Sequence, residues 1–222
     1  MKVKYLSYIF DKSNPIYRNT CASLLIRAKK SISKGDSCNV FRFSMESHWG
    51  THVDAPAHFF NKAKKIADYK PDFWLFKKPC VINLPVSSEE VIELKDIKSK
   101  VNNEHDLVLI QTGFSKFRGS RTYSFNNPVV DPEVGLWLRT NRPKVRAVGF
   151  DFISIGSRQK KEMAKIAHRA FLNPKSKGKP ILIIEDMDLR GNLLGLKEVW
   201  LAPLLVKGID SAPCVALGIL RG

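Results

Sequence analysis

The 222-residue sequence predicts one mixed α/β domain spanning residues 1–222, and three observations carry that expectation. Short apolar runs bounded by glycine, proline or polar residues recur at 80–84, 107–113, 147–152 and 181–185. Their length and branched content suit buried strands. Segments with helical spacing and capping residues alternate irregularly with these runs, a pattern of mixed layers rather than regular βαβ units. The length would hold one large domain or two small ones, but no linker, internal repeat or low-complexity tract divides the chain.

Taken in order, Tyr5-Leu6-Ser7-Tyr8 reads as a short strand followed by a turn around Asn14 and Pro15. Residues 21–27 and 38–45 are strand-like and joined by the turn-prone Ser33-Lys34-Gly35-Asp36. Val40, Arg42, Ser44 and Glu46 share parity with His48, so 38–48 reads as one strand delivering that histidine. Phe59 and Phe60 fit either a pocket wall or the core. A short helix starts near Pro71, which its first turn tolerates, and 80–84 is a strand. Ser87 and Glu90 have capping-box spacing ahead of Val91, Leu94, Ile97 and Val101, which predicts a helix there. Residues 107–113 form a buried strand ended by glycine, and Asp131 caps a helix through Trp137 and Leu138. A strand at 147–152, a helix at 158–172, a strong strand at 181–185 and last strands at 201–204 and 215–220 complete the expectation.

Composition narrows the class. Hydrophobic residues at 44% and charged residues at 26% are ordinary for a soluble globular chain. Nothing approaches an 18-residue apolar run, so no membrane span is expected. Asp11 interrupts the apolar patch after Lys2 and Lys4 before a signal-peptide core could form, and a cytoplasmic address follows. Cys21, Cys38, Cys80 and Cys214 make no Cys-x-x-Cys pair, which fits reduced thiols. The net charge of +16 invites a nucleic-acid reading. Its lysines and arginines are dispersed, however, in runs shorter than five, with no nucleic-acid motif beside them. A diffuse basic surface, and no specific nucleic-acid partner, is the expectation; attraction for anionic substrates is the weaker alternative.

The chemistry concentrates in Ser47-His48-Trp49-Gly50-Thr51-His52-Val53-Asp54-Ala55-Pro56-Ala57-His58, which holds three of the five histidines. His48, His52, Asp54 and His58 have one parity and would project from one face of an extended strand. A helix would also align His48 with His52, but Gly50, Thr51, Val53 and Pro56 disfavour it. A lone histidine is usually a surface or satisfied core residue. Burying three with a carboxylate is costly unless something pairs with them, and a divalent metal would. Trp49 occupies the place of the glutamate in an HExxH helix, so this is a different kind of site.

The stretch HWGTHVDAPAH resembles the HxGTHxDxPxH signature of the metal-dependent cyclase-like hydrolases, the family of bacterial kynurenine formamidase and isatin hydrolase. The strand 107–113 is similar to the family's VLLxTG strand, and the resemblance runs from Leu6 to Gly222. It implies the swivelling β/β/α fold and a binuclear hydrolase holding two divalent ions, zinc or manganese. His168-Arg169-Ala170-Phe171-Leu172 followed by Ile183-Ile184-Glu185 is similar to the family's second ligand pattern. Residues 173–180 between them are longer than the family's usual turn and read as a basic surface loop. Without the resemblance, Glu185 reads as a strand-end carboxylate paired with a lysine.

On this resemblance His48, His52 and Asp54 hold one metal, and His168 and Glu185 hold the second with a carboxylate bridging. His58 is left for proton transfer to a leaving nitrogen. Asp151 and Asp186 stay outside the catalytic set, and His105 sits in a polar turn. The implied activity is hydrolysis of a small amide, with an aryl formamide of the N-formylkynurenine type first. A cyclic amide such as isatin, or another small carboxylic derivative, is the alternative, and a basic non-catalytic binding protein the third reading. A homo-oligomer, dimer or tetramer, is the implied assembly.

Overall fold

The computed structural model describes residues 1–17 and 24–221. In chain order the strands are β1 (Lys2–Tyr5), β2 (Leu25–Lys30), β3 (Val40–Ser44), β4 (His52–Asp54), β5 (Leu75–Phe76), β6 (Pro79–Asn83), β7 (Val91–Ile92), β8 (Leu107–Gln111), β9 (Val129–Val130), β10 (Ala147–Phe150), β11 (Leu182–Glu185), β12 (Leu196–Pro203) and β13 (Ser211–Leu220). The helices are α1 (Leu94–Ile97), α2 (Arg121–Phe125), α3 (Pro132–Asn141) and α4 (Lys161–Leu172).

The main sheet runs β5-β12-β13-β4-β11-β10-β8-β6, with β1 also paired to β13. Its β6, β8, β10 and β11 are mutually parallel, while β4 lies antiparallel to both β11 and β13. Parallel strands are covered on both faces, which is why they read as continuous apolar runs. Val108, Ile110, Val148, Phe150 and Ile183 face a cluster capped by Val134, Leu138, Ala167 and Phe171 of α3 and α4. Leu107, Leu109, Ala147, Leu182 and Ile184 face the other way, against Ile66, Trp74, Val199, Leu201 and Ala216. β12 also approaches β6, so the sheet curls back around this second cluster.

The helix α3 starts as its sequence dictates: the Asp131 side chain accepts from the Glu133 N–H at 2.7 Å and Pro132 fills the first turn. Pro71 likewise opens a 3-10 turn, Pro71–Trp74. The expected helix over 87–101 shrinks to the four residues of α1. Glu89 adopts φ +60°, and Glu90 closes a turn onto the Ser87 N–H. Val91 and Ile92 then pair with Val129 and Val130, so the capping-box spacing serves a turn, and Glu93 with Asp96 caps the real helix.

The single strand expected over 38–48 is also corrected. β3 ends at Ser44, pairs with β2 alone, and turns carry the chain through 47–51 into β4. The beginning of the strand expected at 21–27 lies outside the described residues.

Gly149 marks the tightest point of the parallel sheet. A Cβ there would lie 2.4 Å from Met187 Sδ and 2.7 Å from Leu109 Cδ2. Gly149→Ala is expected to destabilise the fold by about 1–3 kcal/mol, read as a lower urea midpoint with an unchanged denaturant slope.

Candidate metal centre

The four motif residues do not share one strand face. Only His52 and Asp54 belong to β4; His48 precedes it on a turn and His58 ends the 3-10 turn Pro56–His58. They converge nonetheless because that turn folds back, with Phe60 N–H bonded to Pro56 O at 3.0 Å. The rings of His48 and His58 end 4.0 Å apart.

The turn before β4 is pinned from several sides. Trp49 is buried, and its indole N–H donates to Pro15 O at 3.2 Å. Gly50 has φ +63°, and a Cβ there would sit 2.2 Å from the Phe10 ring, a position only glycine fills. Thr51 accepts from Tyr8 N–H at 3.1 Å and donates to Asp186 O at 2.5 Å.

β4 lies between two partners, with Asp54 level with Ile183 and Ser211, and His52 level with Glu185 and Pro213. Glu185 therefore reaches the cluster from the end of β11, and its Oε1 accepts from Ile155 N–H at 2.8 Å. His168 comes from α4, with its Nε2 3.6 Å from Glu185 Oε1. The two groups nearest each other form two overlapping sets about Asp54: His48, Asp54 and His58, and His52, Asp54 and Glu185. His168 stands beside the second.

Two histidines have their tautomer fixed by a carbonyl, which can only accept. His52 Nδ1 lies 2.8 Å from Gly50 O, and His168 Nδ1 lies 2.7 Å from Ala164 O. Both rings thus donate through Nδ1 and keep a lone pair on Nε2, the arrangement that metal-ligating histidines require. His52 Nε2 is 3.5 Å from both Asp54 Oδ1 and Glu185 Oε2.

Asp54 is 1% exposed, and neither of its oxygens receives a hydrogen bond in good geometry. The closest group is His48 Nδ1 at 2.9 Å from Oδ1. A buried carboxylate met by His48 at one oxygen, beside the Nε2 of His52 and a second carboxylate at Glu185, is a set that a divalent cation completes. The residues therefore fit a divalent metal, held by nitrogen and oxygen donors.

Charge is distributed unevenly here. Burial opposes ionisation of His48, but Asp54 and Asp210 outweigh it and push its pKa up to about 10. Burial works against ionised Asp54 as well, and the His48 charge more than compensates, holding the carboxyl well below its ordinary range. His58 moves down, through burial first and then repulsion by His48, despite attraction to Asp54.

Sequence reasoning missed Asp210. Its Oδ2 lies 3.0 Å from His58 Nδ1 and 3.4 Å from His48 Nε2, delivered by the loop just before β13. The two acids set aside earlier are engaged elsewhere. Asp151 accepts from Thr112 N–H and Oγ1 and from Gly113 N–H. Asp186 holds Arg118 and the Tyr123 hydroxyl. His105, half-buried rather than exposed, accepts from Asn102 N–H at 3.1 Å, away from the site.

A cavity of about 410 Å³ opens over the cluster, walled by Ile16, Tyr17, Trp49, Phe59 and Ile153, with Lys161 and Lys165 also lining it. Phe59 belongs to both cavity and core, stacking on His168 at 4.9 Å; Phe60 packs against the core.

Comparisons with known proteins place the chain among its relatives. The chain is 28% identical over 181 residues to "Kynurenine formamidase" of Bacillus cytotoxicus, covering 82% of this chain and 80% of that protein. It is 26% identical to "Cyclase-like protein 1" of Arabidopsis thaliana, covering 96% of this chain and 82% of that one. Isatin hydrolase A from Labrenzia aggregata, solved with benzyl benzoate, superposes with a TM-score of 0.79 at 18% identity, covering 100% of this chain and 94% of that one. Its fold is therefore the fold of this chain. The Cyclase model, described as "Putative cyclase", matches residues 5–157, and with that match the chain belongs to the cyclase family.

Proposed function

We propose that this protein is a divalent-metal-dependent hydrolase of a small amide, an aryl formamidase acting on substrates of the N-formylkynurenine type. The observation that carries the reading is the buried Asp54 carboxylate, grouped with Glu185 and three histidines beneath an aromatic-walled cavity. The whole chain, 1–222, serves as one catalytic domain, at a cytoplasmic address. No helix among the described residues is long and apolar enough to cross a membrane, and Cys38, Cys80 and Cys214 are free thiols.

Two metal ions per chain, zinc or manganese, complete the site on this reading. His48, His52 and Asp54 would hold one, and His168 and Glu185 would hold the other. When bound, a divalent metal supplies Lewis acidity toward an amide carbonyl and toward water. Ile16, Tyr17, Trp49, Phe59 and Ile153 receive the aryl ring and exclude bulk water. Asp210, as a carboxylate, accepts a hydrogen bond from the His58 Nδ1–H and so leaves Nε2 as the basic nitrogen. The lowered pKa of His58 favours its neutral ring near pH 7. His58 then takes a proton from water as it adds to the formyl carbon. It returns that proton to the arylamine nitrogen as the C–N bond breaks and formate leaves.

A cyclic amide of the isatin type is the second reading, favoured by the structural likeness to isatin hydrolase A. Lys161, at the cavity, distinguishes the two. It suits the carboxylate of an amino-acid side chain, which isatin lacks. Lys161→Ala is expected to raise KM about tenfold for N-formylkynurenine and to leave KM for isatin within about twofold. A neutral preference in the wild type, with isatin turned over faster than the formamide, would select the second reading.

Elemental analysis and a formamide assay test the metal roles together. His52→Ala should lose both metal and turnover. His58→Ala should keep its metal and lose activity by about a hundred- to ten-thousand-fold. Because His58 also lies within the set formed with His48 and Asp54, metal loss equal to that of His52→Ala would make it a ligand instead. A protein that binds no metal and is not activated by zinc or manganese would end the hydrolase reading.

The same reading includes a homo-oligomer, with a second copy seated on the β2–β3 hairpin. Leu25, Ile26, Val40, Phe41 and Phe43 are exposed there, and an isolated hairpin is marginal in water. Beside it lies an apolar groove of about 720 Å³ walled by Phe10, Phe41, Phe43, Leu204 and Val215. Exchanged between two copies, hairpin and groove would cover each other. Phe41→Ser with Phe43→Ser should shift the mass measured by light scattering to that of one chain; an already monomeric wild type would exclude the assembly.

A further inference from the structure

Part of the basic surplus, dispersed in the sequence, gathers in one place in the fold. Lys64, Lys70, Lys78, Lys144, Arg146 and Lys179 line one groove of about 940 Å³. It runs along the beginnings of the parallel strands. Lys78 immediately precedes β6, Arg146 immediately precedes β10, and Lys179-Pro180 lead into β11. Glu185 and the histidines it meets stand at the other end of β11. The groove therefore opens toward the other end of the sheet from the metal centre, although Pro56, which begins the turn bearing His58, also lines it.

Four acids also line it, Asp68, Asp72, Glu104 and Asp106, of which Glu104 and Asp106 are ion-paired. Asp106 accepts from the N–H groups of Lys77 and Lys78 and pairs with Arg146 at 3.2 Å. Glu104 pairs with Lys144 at 3.0 Å, and Asp68 accepts from Lys65 N–H at 2.8 Å. Among the described residues, Lys64, Lys70, Lys78 and Lys179 have no ion-pair partner within 4.0 Å. Six cationic side chains against four carboxylates leave the groove net positive by two, which attracts anions there. Tyr69 and Phe73, with rings 4.4 Å apart, add an apolar wall.

The loop 173–180 supplies an independent observation. Arg139 is 3% exposed, and its guanidinium donates to the carbonyls of Ala170, Asn173, Ser176 and Gly178 at 2.6 to 3.1 Å. Gly178 has φ +78°, and a Cβ there would lie 2.2 Å from Arg139 O. A buried cation thus shapes this surface loop from within, so that Pro174, Lys179 and Pro180 become a fixed wall of the groove.

We propose that this groove is a binding site for a small molecule carrying two or more phosphate groups, held by Lys64, Lys70, Lys78 and Lys179. Lysine is suited to phosphate as a point charge, and separated lysines favour a ligand with more than one anionic group. The site is independent of the hydrolase activity.

Calorimetric titration of the metal-loaded protein with fructose 1,6-bisphosphate tests it. Binding with Kd below about 1 mM is expected, weakening as salt rises. The triple variant Lys64→Ala, Lys78→Ala, Lys179→Ala should weaken it at least about tenfold, and Lys179→Glu alone should act in the same direction. Lys29→Ala with Lys30→Ala, on the hairpin, should leave it unchanged, and binding should persist in His52→Ala. No binding to the wild type, equal binding by the triple variant, or loss in His52→Ala would overturn the proposal. A short single-stranded oligonucleotide that binds more tightly than the bisphosphate and is lost in the triple variant would assign the groove to nucleic acid instead.

Discussion

The carboxylate of Asp54 is the constraint around which this structure is arranged. It is buried on a three-residue strand, and neither oxygen has a well-placed hydrogen-bond donor. An ionised group so placed is costly unless opposite charge converges on it. Histidines converge on it from three directions, and a second carboxylate from a fourth leaves a balance that a cation would complete. His48 arrives on a pinned turn, His58 on a 3-10 turn, Glu185 on the neighbouring strand, and His168 on α4. The glycine at position 50 and the buried Trp49 matter because they fix the turn before β4, and with it the direction of His48.

The parallel strands divide the molecule into two working ends. Carboxyl ends of β10 and β11 supply Ile153, Ser154 and Glu185 to an enclosed, partly apolar chamber. The amino ends carry exposed cations and the loop shaped by Arg139. Between the two ends lies a doubly covered apolar sheet whose side chains alternate between two clusters. Such a layer resists deformation, so each end keeps its own electrostatic character while sharing one scaffold.

Much of this was legible locally. The runs at 107–113 and 181–185 became strands because a continuous apolar stretch can be satisfied only by covering both faces. Asp131-Pro132 started a helix because both residues act within one turn. The 47–58 motif announced its chemistry by residue type, although its backbone was read wrongly. Parity along one strand suggested a shared face, whereas the residues meet through two turns on either side of β4. Residues 87–101 failed for a related reason: helical spacing was real, but Glu89 turned the chain and Val91-Ile92 found strand partners nearly forty positions on. Asp210 had no local signal at all. It stands 152 residues from His58 and reaches it only because β13 pairs with β4. Lys64, Lys70, Lys78 and Lys179 likewise meet at one groove through the fold, with no run in the sequence to announce it.

The placement of β4 has a consequence for anyone wishing to move this centre into another protein. Three residues are clamped between antiparallel neighbours, with Val53 fully buried on the face opposite His52 and Asp54. A slip of one residue would exchange those faces, sending an imidazole and a carboxylate into the apolar interior. The smallest transplantable unit is therefore not the eleven-letter signature but a three-strand weave from distant parts of the chain. Grafting the signature alone would carry the letters and leave behind the frame that gives them direction.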